Sequence, residues 1–197
     1  HLEASEEKCG VVAESLGCFA DNRDILCING WGTKYAHKGA FLGEFTWGFE
    51  GQEIFKRAVA GMSKACDEAL KKEGLGPEEI DLVVPHQANL RIINSLTKRL
   101  DVSPEKVFIN IHRYGNMSAA TAPMALVEAI EEKRVSAGSN IIMPAFGAGL
   151  SWSAHIIHWG QRVSSLATTD VKLPACEKTG LQMVQELRAA RNNTCKT

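Results

Sequence analysis

Apolar and polar positions along this 197-residue chain follow two periods in turn, about two and about three and a half residues, and the switches between them lay out a mixed α/β order. From Cys9 to Ala20 small and apolar residues alternate as in a strand. Asp21-Asn22-Arg23-Asp24 then makes a turn and Ile25 to Ile28 a second short strand, a hairpin-like or irregular start. Asn29 to Glu50 holds Trp31, Tyr35, Phe41, Phe45, Trp47 and Phe49 with little periodicity, and reads as a long loop of the kind usually kept for function. The strongest helix spans Gln52 to Glu73, where Ile54, Phe55, Ala58, Val59, Met62, Ala65, Ala69 and Leu70 form one stripe and Gly74 follows as C-cap.

Asp81 to Pro85 reads as a short buried strand, and Asn89 to Leu100 as a helix with Leu90, Ile93, Leu96 and Leu100 facing inward. Ser103-Pro104-Glu105 has the chemistry of a helical first turn. Val107 to Ile111 reads as another strand. Ser118 opens a helix to about Arg134 whose small residues (Ala119, Ala120, Ala122, Ala125) predict close packing in a buried layer. Gly138 turns the chain into a strand over Asn140 to Phe146, and Leu150 to Trp159 pairs back on it through Gly147-Ala148-Gly149. After Gly160 the sequence turns polar, with a weak amphipathic helix on Leu181, Val184 and Leu187. The expected organisation is one α/β domain over residues 1–160 and a tail over 161–197.

Composition narrows the function classes. At 45% hydrophobic and 23% charged residues the chain can bury one substantial core, which sets disorder aside. A net charge of −1 provides no field that would gather nucleic acid or an anionic membrane. No apolar run approaches the roughly 20 residues of a spanning helix, and the N-terminus lacks a signal-peptide layout, so a cytoplasmic protein is expected. Cys9, Cys18, Cys27, Cys66, Cys176 and Cys195 make no CxxC pair and no zinc spacing, and are expected to be reduced thiols. His37, His155 and His158 have no ligand spacing either, so no metal is expected. The opening His1-Leu2-Glu3-Ala4-Ser5 lacks an initiator Met and reads as a cut from something longer.

Three segments could carry chemistry. His86 follows a buried strand and precedes a helix, where βα loops of open sheets present functional groups; a capping or core-satisfied histidine is the alternative. Asn116 occupies an equivalent place ahead of the small-residue helix, and the alternative there is a turn residue tolerant of left-handed geometry. A neutral imidazole and an amide together offer two donors, which suits a developing oxyanion on a thioester carbonyl. Phe146-Gly147-Ala148-Gly149 presents backbone N–H groups with almost no side chain in the way, and is in any case a tight hairpin. His112 lies close to Asn116 in sequence, and nothing assigns it a role.

In their order, PHQANLRI, RYGNMSAAT and AFGAGLSW, with the helix start EGQEIFKRAV, resemble the C-terminal half of the β-ketoacyl-acyl carrier protein synthase III family, over roughly Cys9 to Gly160. The resemblance implies a thiolase-like fold, one half of an αβαβα arrangement with a mixed sheet and packed helices. It also implies a decarboxylative condensation of acyl-CoA with malonyl-acyl carrier protein through a Cys-His-Asn site. His86 and Asn116 match the pair that binds the malonyl thioester carbonyl and stabilises the enolate; Ala88, Asn89, Phe146, Gly147, Ala148 and Gly149 match substrate-binding positions. Ala148 replaces a usual glycine and Met117 a usual Thr.

The family's nucleophilic cysteine belongs to its other half, and none of the six here matches it: Cys66 falls in mid-helix and Cys9, Cys18 and Cys27 before any strong helix. Arg91, Lys98 and Arg99, joined by Lys56, form a basic face that suits docking of an acidic acyl carrier protein; a solvated helix face is the alternative. Coenzyme A and phosphopantetheine thioesters are implied as substrates, no separate cofactor, and a homodimer or self-association through the face a lone half leaves bare. A 3-hydroxy-3-methylglutaryl-CoA synthase or secondary-metabolite relative, and a noncatalytic partner of the same fold, are the competing readings.

Overall fold

A computed structural model describes residues 7–30, 46–165, 170–172 and 174–194. Trp31, Tyr35, Phe41, Phe45, His37 and Cys195 lie outside these. The chain divides into two compact units, His1–Ser164 and Ser165–Thr197. The first holds β1 (Gly10–Cys18), β2 (Leu26–Asn29), β3 (Thr46–Phe49), α1 (Gly51–Glu73), β4 (Leu82–Val83), α2 (Leu90–Arg99), α3 (Ile111–Tyr114), α4 (Thr121–Glu131), β5 (Asn140–Gly147) and β6 (Ser151–His158). The second holds α5 (Gly180–Thr194), on which Leu181, Val184 and Leu187 are exposed.

Four strands form a mixed sheet in the order β1-β6-β5-β4, with β4 parallel to β5 and the other pairs antiparallel. Its middle strands are apolar because both faces are covered. On β4 and the residue after it, Val83 belongs to the cluster built on α1 and α2, while Leu82 and Val84 belong to the cluster built on α4; on β5, Ile142 and Ile141 divide the same way. The strand period of two thus sorts neighbouring residues into two cores. Burial along α1 recurs at Ile54, Ala58, Met62, Ala65 and Ala69, with Gly61 against Trp152 of β6. Gly74 ends α1 in the left-handed region and donates its N–H to Leu70 O.

Several expectations change. The start of the chain is no hairpin: β6 pairs along the length of β1, a 3-10 turn over Ala20–Ile25 leads the chain off the sheet, and β2 pairs with β3 instead. β3 lies inside the segment read as loop; at Gly48 a Cβ would sit 2.6 Å from Cys27 Sγ, so the close approach of the ribbon needs glycine. Trp47 and Phe49 of that strand are exposed. Leu90 is 47% exposed at the first residue of α2, and Ile92 takes the inward place assigned to it.

Val107 to Ile111 is not a strand. Only Val107 bridges to Val83, because buried side-chain bonds replace the ladder after that point. The helix after Ser118 begins as a 3-10 turn over Ser118–Ala120, since Ser118 has a φ of +57°, and its α-helical part stops at Glu131, well short of Arg134. Ala125 is buried, but Ala119 and Ala120 are exposed and Ala122 half-buried, so the expected buried layer is bare on that side among the described residues.

Candidate active site

The sheet delivers His86 by extending its own hydrogen bonding. Asp81 N donates to Asn140 O, Val84 N to Ile142 O at 2.9 Å and His86 N to Pro144 O at 2.8 Å, so the chain keeps running along β5 as far as His86, three residues past the last ladder residue of β4. Pro85 fits between them because alternate N–H groups of a strand point to opposite sides, and its missing donor falls on the side away from β5. Asn89 then caps α2, its side chain accepting the Arg91 N–H at 2.8 Å.

The fully buried Gln87 links this loop to the next. Its Nε2 donates to Pro85 O (2.9 Å) and Phe108 O (3.1 Å), and its Oε1 accepts from Asn110 N (3.1 Å) and Ile111 N (3.2 Å). One amide therefore satisfies four backbone groups of the two loops. From Asn110 the chain passes through α3 to Asn116, whose Oδ1 accepts the Ser118 N–H at 2.8 Å and leaves the Nδ2 donors unspent. Below this turn Glu128 accepts from Asn110 Nδ2 at 2.8 Å and from the Tyr114 hydroxyl, and pairs with Arg113 at 3.2 Å. Tyr114 first, then Asn110, hold its carboxyl below the usual range.

His86, Ala88, Asn89, Arg91, Asn116, Ser118, Phe146, Gly147 and Ala148 line one cavity of about 1100 Å3. Its other walls are apolar: Ile54, Phe55, Ala58 and Met62 of α1, Ile92 of α2, and Leu26, Ile28, Trp47 and Phe49 of the β2–β3 ribbon. A few polar groups converging in an apolar cleft is the usual form of a small-molecule site. At Gly147 a Cβ would meet no protein atom within 4 Å, so the glycine leaves open space at the wall. Burial lowers the pKa of His86 from its ordinary 6.5, which keeps the imidazole neutral at pH 7. Its Nδ1 is bonded to the hydroxyl of buried Thr121, so Nε2 is the nitrogen left for a ligand.

Gly149, Lys98 and Arg99 are not among the lining residues. Arg91 lies with its guanidinium 5.9 Å from the Phe55 ring centre, and Lys56 pairs with Glu53 at 3.7 Å. His112 lines a separate, smaller hollow, and His158 is bonded to Asn140. Burial, with Asp67 beside it, pushes the Cys66 thiol far up, the reverse of what a nucleophile requires. Cys27 reaches the cavity wall, a placement the sequence does not reveal, but on a strand and with its thiol donating to Asp24 O at 3.2 Å. Gln87, Thr121 and Glu128 also went unseen in the sequence; the only signal for the first was its place inside PHQANLRI, directly after His86. Among the described residues no cluster of His, Cys, Asp or Glu could hold a metal ion, and no helix is long and apolar enough to cross a membrane.

A parallel strand end, a turn between two short helical segments and a hairpin meet at one cleft over a mixed sheet, and solved structures of thiolase-like fold bear the same arrangement. The 3-oxoacyl-[acyl-carrier-protein] synthase III of Aquifex aeolicus superposes with a TM-score of 0.69 at 40% identity, over 79% of this chain and 46% of that one. A priming β-ketosynthase from the R1128 polyketide biosynthetic pathway gives 0.68 at 30% identity, over 77% and 46%. Residues 70–159 match the family described as 3-Oxoacyl-[acyl-carrier-protein (ACP)] synthase III C terminal. Beta-ketoacyl-[acyl-carrier-protein] synthase III 2 of Vibrio cholerae is 44% identical over 185 residues, 94% of this chain and 51% of the relative. The chain thus spans about half the length of the curated relatives it matches. An alignment of 185 residues is longer than the first unit, so it reaches into the tail.

Proposed function

We propose that this chain supplies the decarboxylating half of a β-ketoacyl-acyl carrier protein synthase III active site, and the observation that carries the reading is the convergence of His86 and Asn116 on one apolar cavity. A malonyl thioester carbonyl oxygen sits between His86 Nε2–H and the Asn116 amide. As the bond to the terminal carboxylate breaks, carbon dioxide leaves and its electron pair builds an enolate whose oxygen these two donors hold. A neutral imidazole suits this task, since it donates without giving up its proton. The enolate carbon then attacks an acyl thioester carried on a cysteine supplied by the other half of the enzyme, which this chain does not span.

Phe146, Gly147 and Ala148 border the reacting carbons, and Ala88 and Asn89 lie at the mouth beside Arg91. Gly149 belongs to the turn between β5 and β6, where its φ of +144° favours glycine. Arg91, Lys98, Arg99 and Lys56 steer an acidic acyl carrier protein toward the opening, with acyl-CoA as the acyl source and no cofactor or metal. The protein acts in the cytoplasm. The exposed Met124 and Val127 on α4, with Ala119 and Ala120 beside them, favour burial against the other half or a second copy. Likeness to a polyketide priming synthase supports a second reading of the same chemistry, in secondary metabolism rather than fatty acid synthesis.

The test is a chimera joining this chain to the N-terminal half of the Vibrio cholerae relative. Condensation of acetyl-CoA with malonyl-acyl carrier protein is expected from the chimera, whereas the 197-residue chain alone incorporates no labelled acetyl group. A folded chimera without condensing activity, or stoichiometric labelling of the chain alone, overturns the reading.

A further inference from the structure

Thr121 is fully buried, lies at the start of α4, and makes two contacts through one hydroxyl: it is bonded to His86 Nδ1, and it donates to Ser118 O at 3.0 Å. A hydroxyl has one proton to give. While that proton points at Ser118 O, the oxygen faces the imidazole as an acceptor, so Nδ1 must carry the hydrogen and Nε2 is bare. When the hydroxyl turns toward the ring it donates to Nδ1, which is then the bare nitrogen, and Nε2 carries the hydrogen toward the cavity. The turn leaves no orphan behind, because Ser118 O keeps the Thr121 backbone N–H as a partner.

We propose that Thr121 is a positioning residue that sets the tautomer of His86: at rest its hydroxyl accepts from Nδ1–H, and a carbonyl arriving at Nε2 turns it to donate, making Nε2 a donor. The proposal rests on the decarboxylating role given to His86 for its use, though not for its geometry. Protons balance when the ring swings Nδ1 from Thr121 to the cavity before the carbonyl seats: Nε2 takes a proton from cavity water, Nδ1 returns its own to that water, and the imidazole comes back to Thr121 neutral. A binding site whose key donor appears only when an acceptor is present leaves no bare N–H to be solvated in the empty cavity, and it makes the donor strongest where charge develops.

Nitrogen-15 correlation spectra of the imidazole rings in the full chain test this directly. Wild type and Thr121→Ser, which keeps the hydroxyl, are expected to show His86 protonated at Nδ1. Thr121→Val, similar in shape but unable to bond, is expected to move the proton to Nε2, the nitrogen that still meets water. Wild type already protonated at Nε2, or a valine variant with an unchanged tautomer, overturns the proposal; the first outcome needs no variant to fold. In the chimera, Thr121→Val is expected to slow malonyl decarboxylation about tenfold, the loss of roughly one hydrogen bond, with recovery in Thr121→Ser. A tautomer that moves while decarboxylation does not overturns the use given to the Thr121 hydroxyl in the reaction, whereas the decarboxylating role of His86 is decided separately by His86→Ala.

Discussion

Replacing Gln87 by leucine preserves volume and removes four hydrogen bonds at once. The Gln87 amide is fully buried and satisfies Pro85 O, Phe108 O, Asn110 N and Ile111 N at 2.9 to 3.2 Å. Each bond contributes about 1 kcal/mol net, and an abandoned buried group costs at least that, so the simple sum is about 4 kcal/mol. Local relaxation that admits water to one or two groups lowers it to about 3. With a urea slope of about 2 kcal/mol/M, the unfolding midpoint should fall by about 1.5 to 2 M. The same variant should lose hydrogen-exchange protection at the Asn110 and Ile111 amides, whose partner is gone, while amides in the middle of β5 and β6 follow only the global loss. A midpoint within about 0.5 M of wild type, with those two amides still protected, would refute the claim that one side chain substitutes for the sheet ladder and ties the His86 loop to the Asn116 loop.

Three further outcomes follow from the same structure. Gly61→Ala should destabilise the protein by about 1 to 2 kcal/mol by urea unfolding, although alanine is the better helix former by about 1 kcal/mol, because its Cβ would lie 2.7 Å from the buried Trp152 ring. His86 should titrate below 6.5 by proton NMR; the unfolded chain then binds a proton that the folded one refuses, so His86 leaves stability untouched above 6.5 and erodes it as pH falls from there toward the folded pKa. Glu128 has the opposite sense of ionisation: its carboxyl is held down by Tyr114 and Asn110, so its contribution is present above the unfolded carboxyl range and disappears as pH falls through the folded value. Glu128→Gln should therefore lower Tm at neutral pH and flatten the acid limb of Tm against pH.

Legibility tracked the reach of each interaction along the chain. The α1 stripe and its Gly74 cap were readable because both are written within a few residues, and β5 and β6 because a short glycine-rich turn joins two apolar runs. His86 was readable as a strand-end polar group; Asn116 was read the same way, but a short helix and not a strand leads to it, and their shared cavity became an expectation only through the register of several motifs. What escaped depends on distant partners. The bonds of Gln87 to residues 108–111 abolish a strand whose local pattern is sound, and the pairing of β1 with β6 dissolves the expected hairpin. Leu90 misled because periodicity marks a face without saying where burial on it begins; at the first position of α2 it projects past the core.

The central claim is that His86 and Asn116 serve decarboxylation rather than acylation, and the most direct measurement separates those two steps in the chimera. Release of labelled carbon dioxide from malonyl-acyl carrier protein and transfer of labelled acetyl from acetyl-CoA to the cysteine are followed side by side in wild type and His86→Ala. In His86→Ala carbon dioxide release should fall about 100- to 1000-fold, the usual effect of losing one oxyanion donor, with acetyl transfer nearly unchanged. Undiminished carbon dioxide release, or an equal loss of both steps, would contradict the claim.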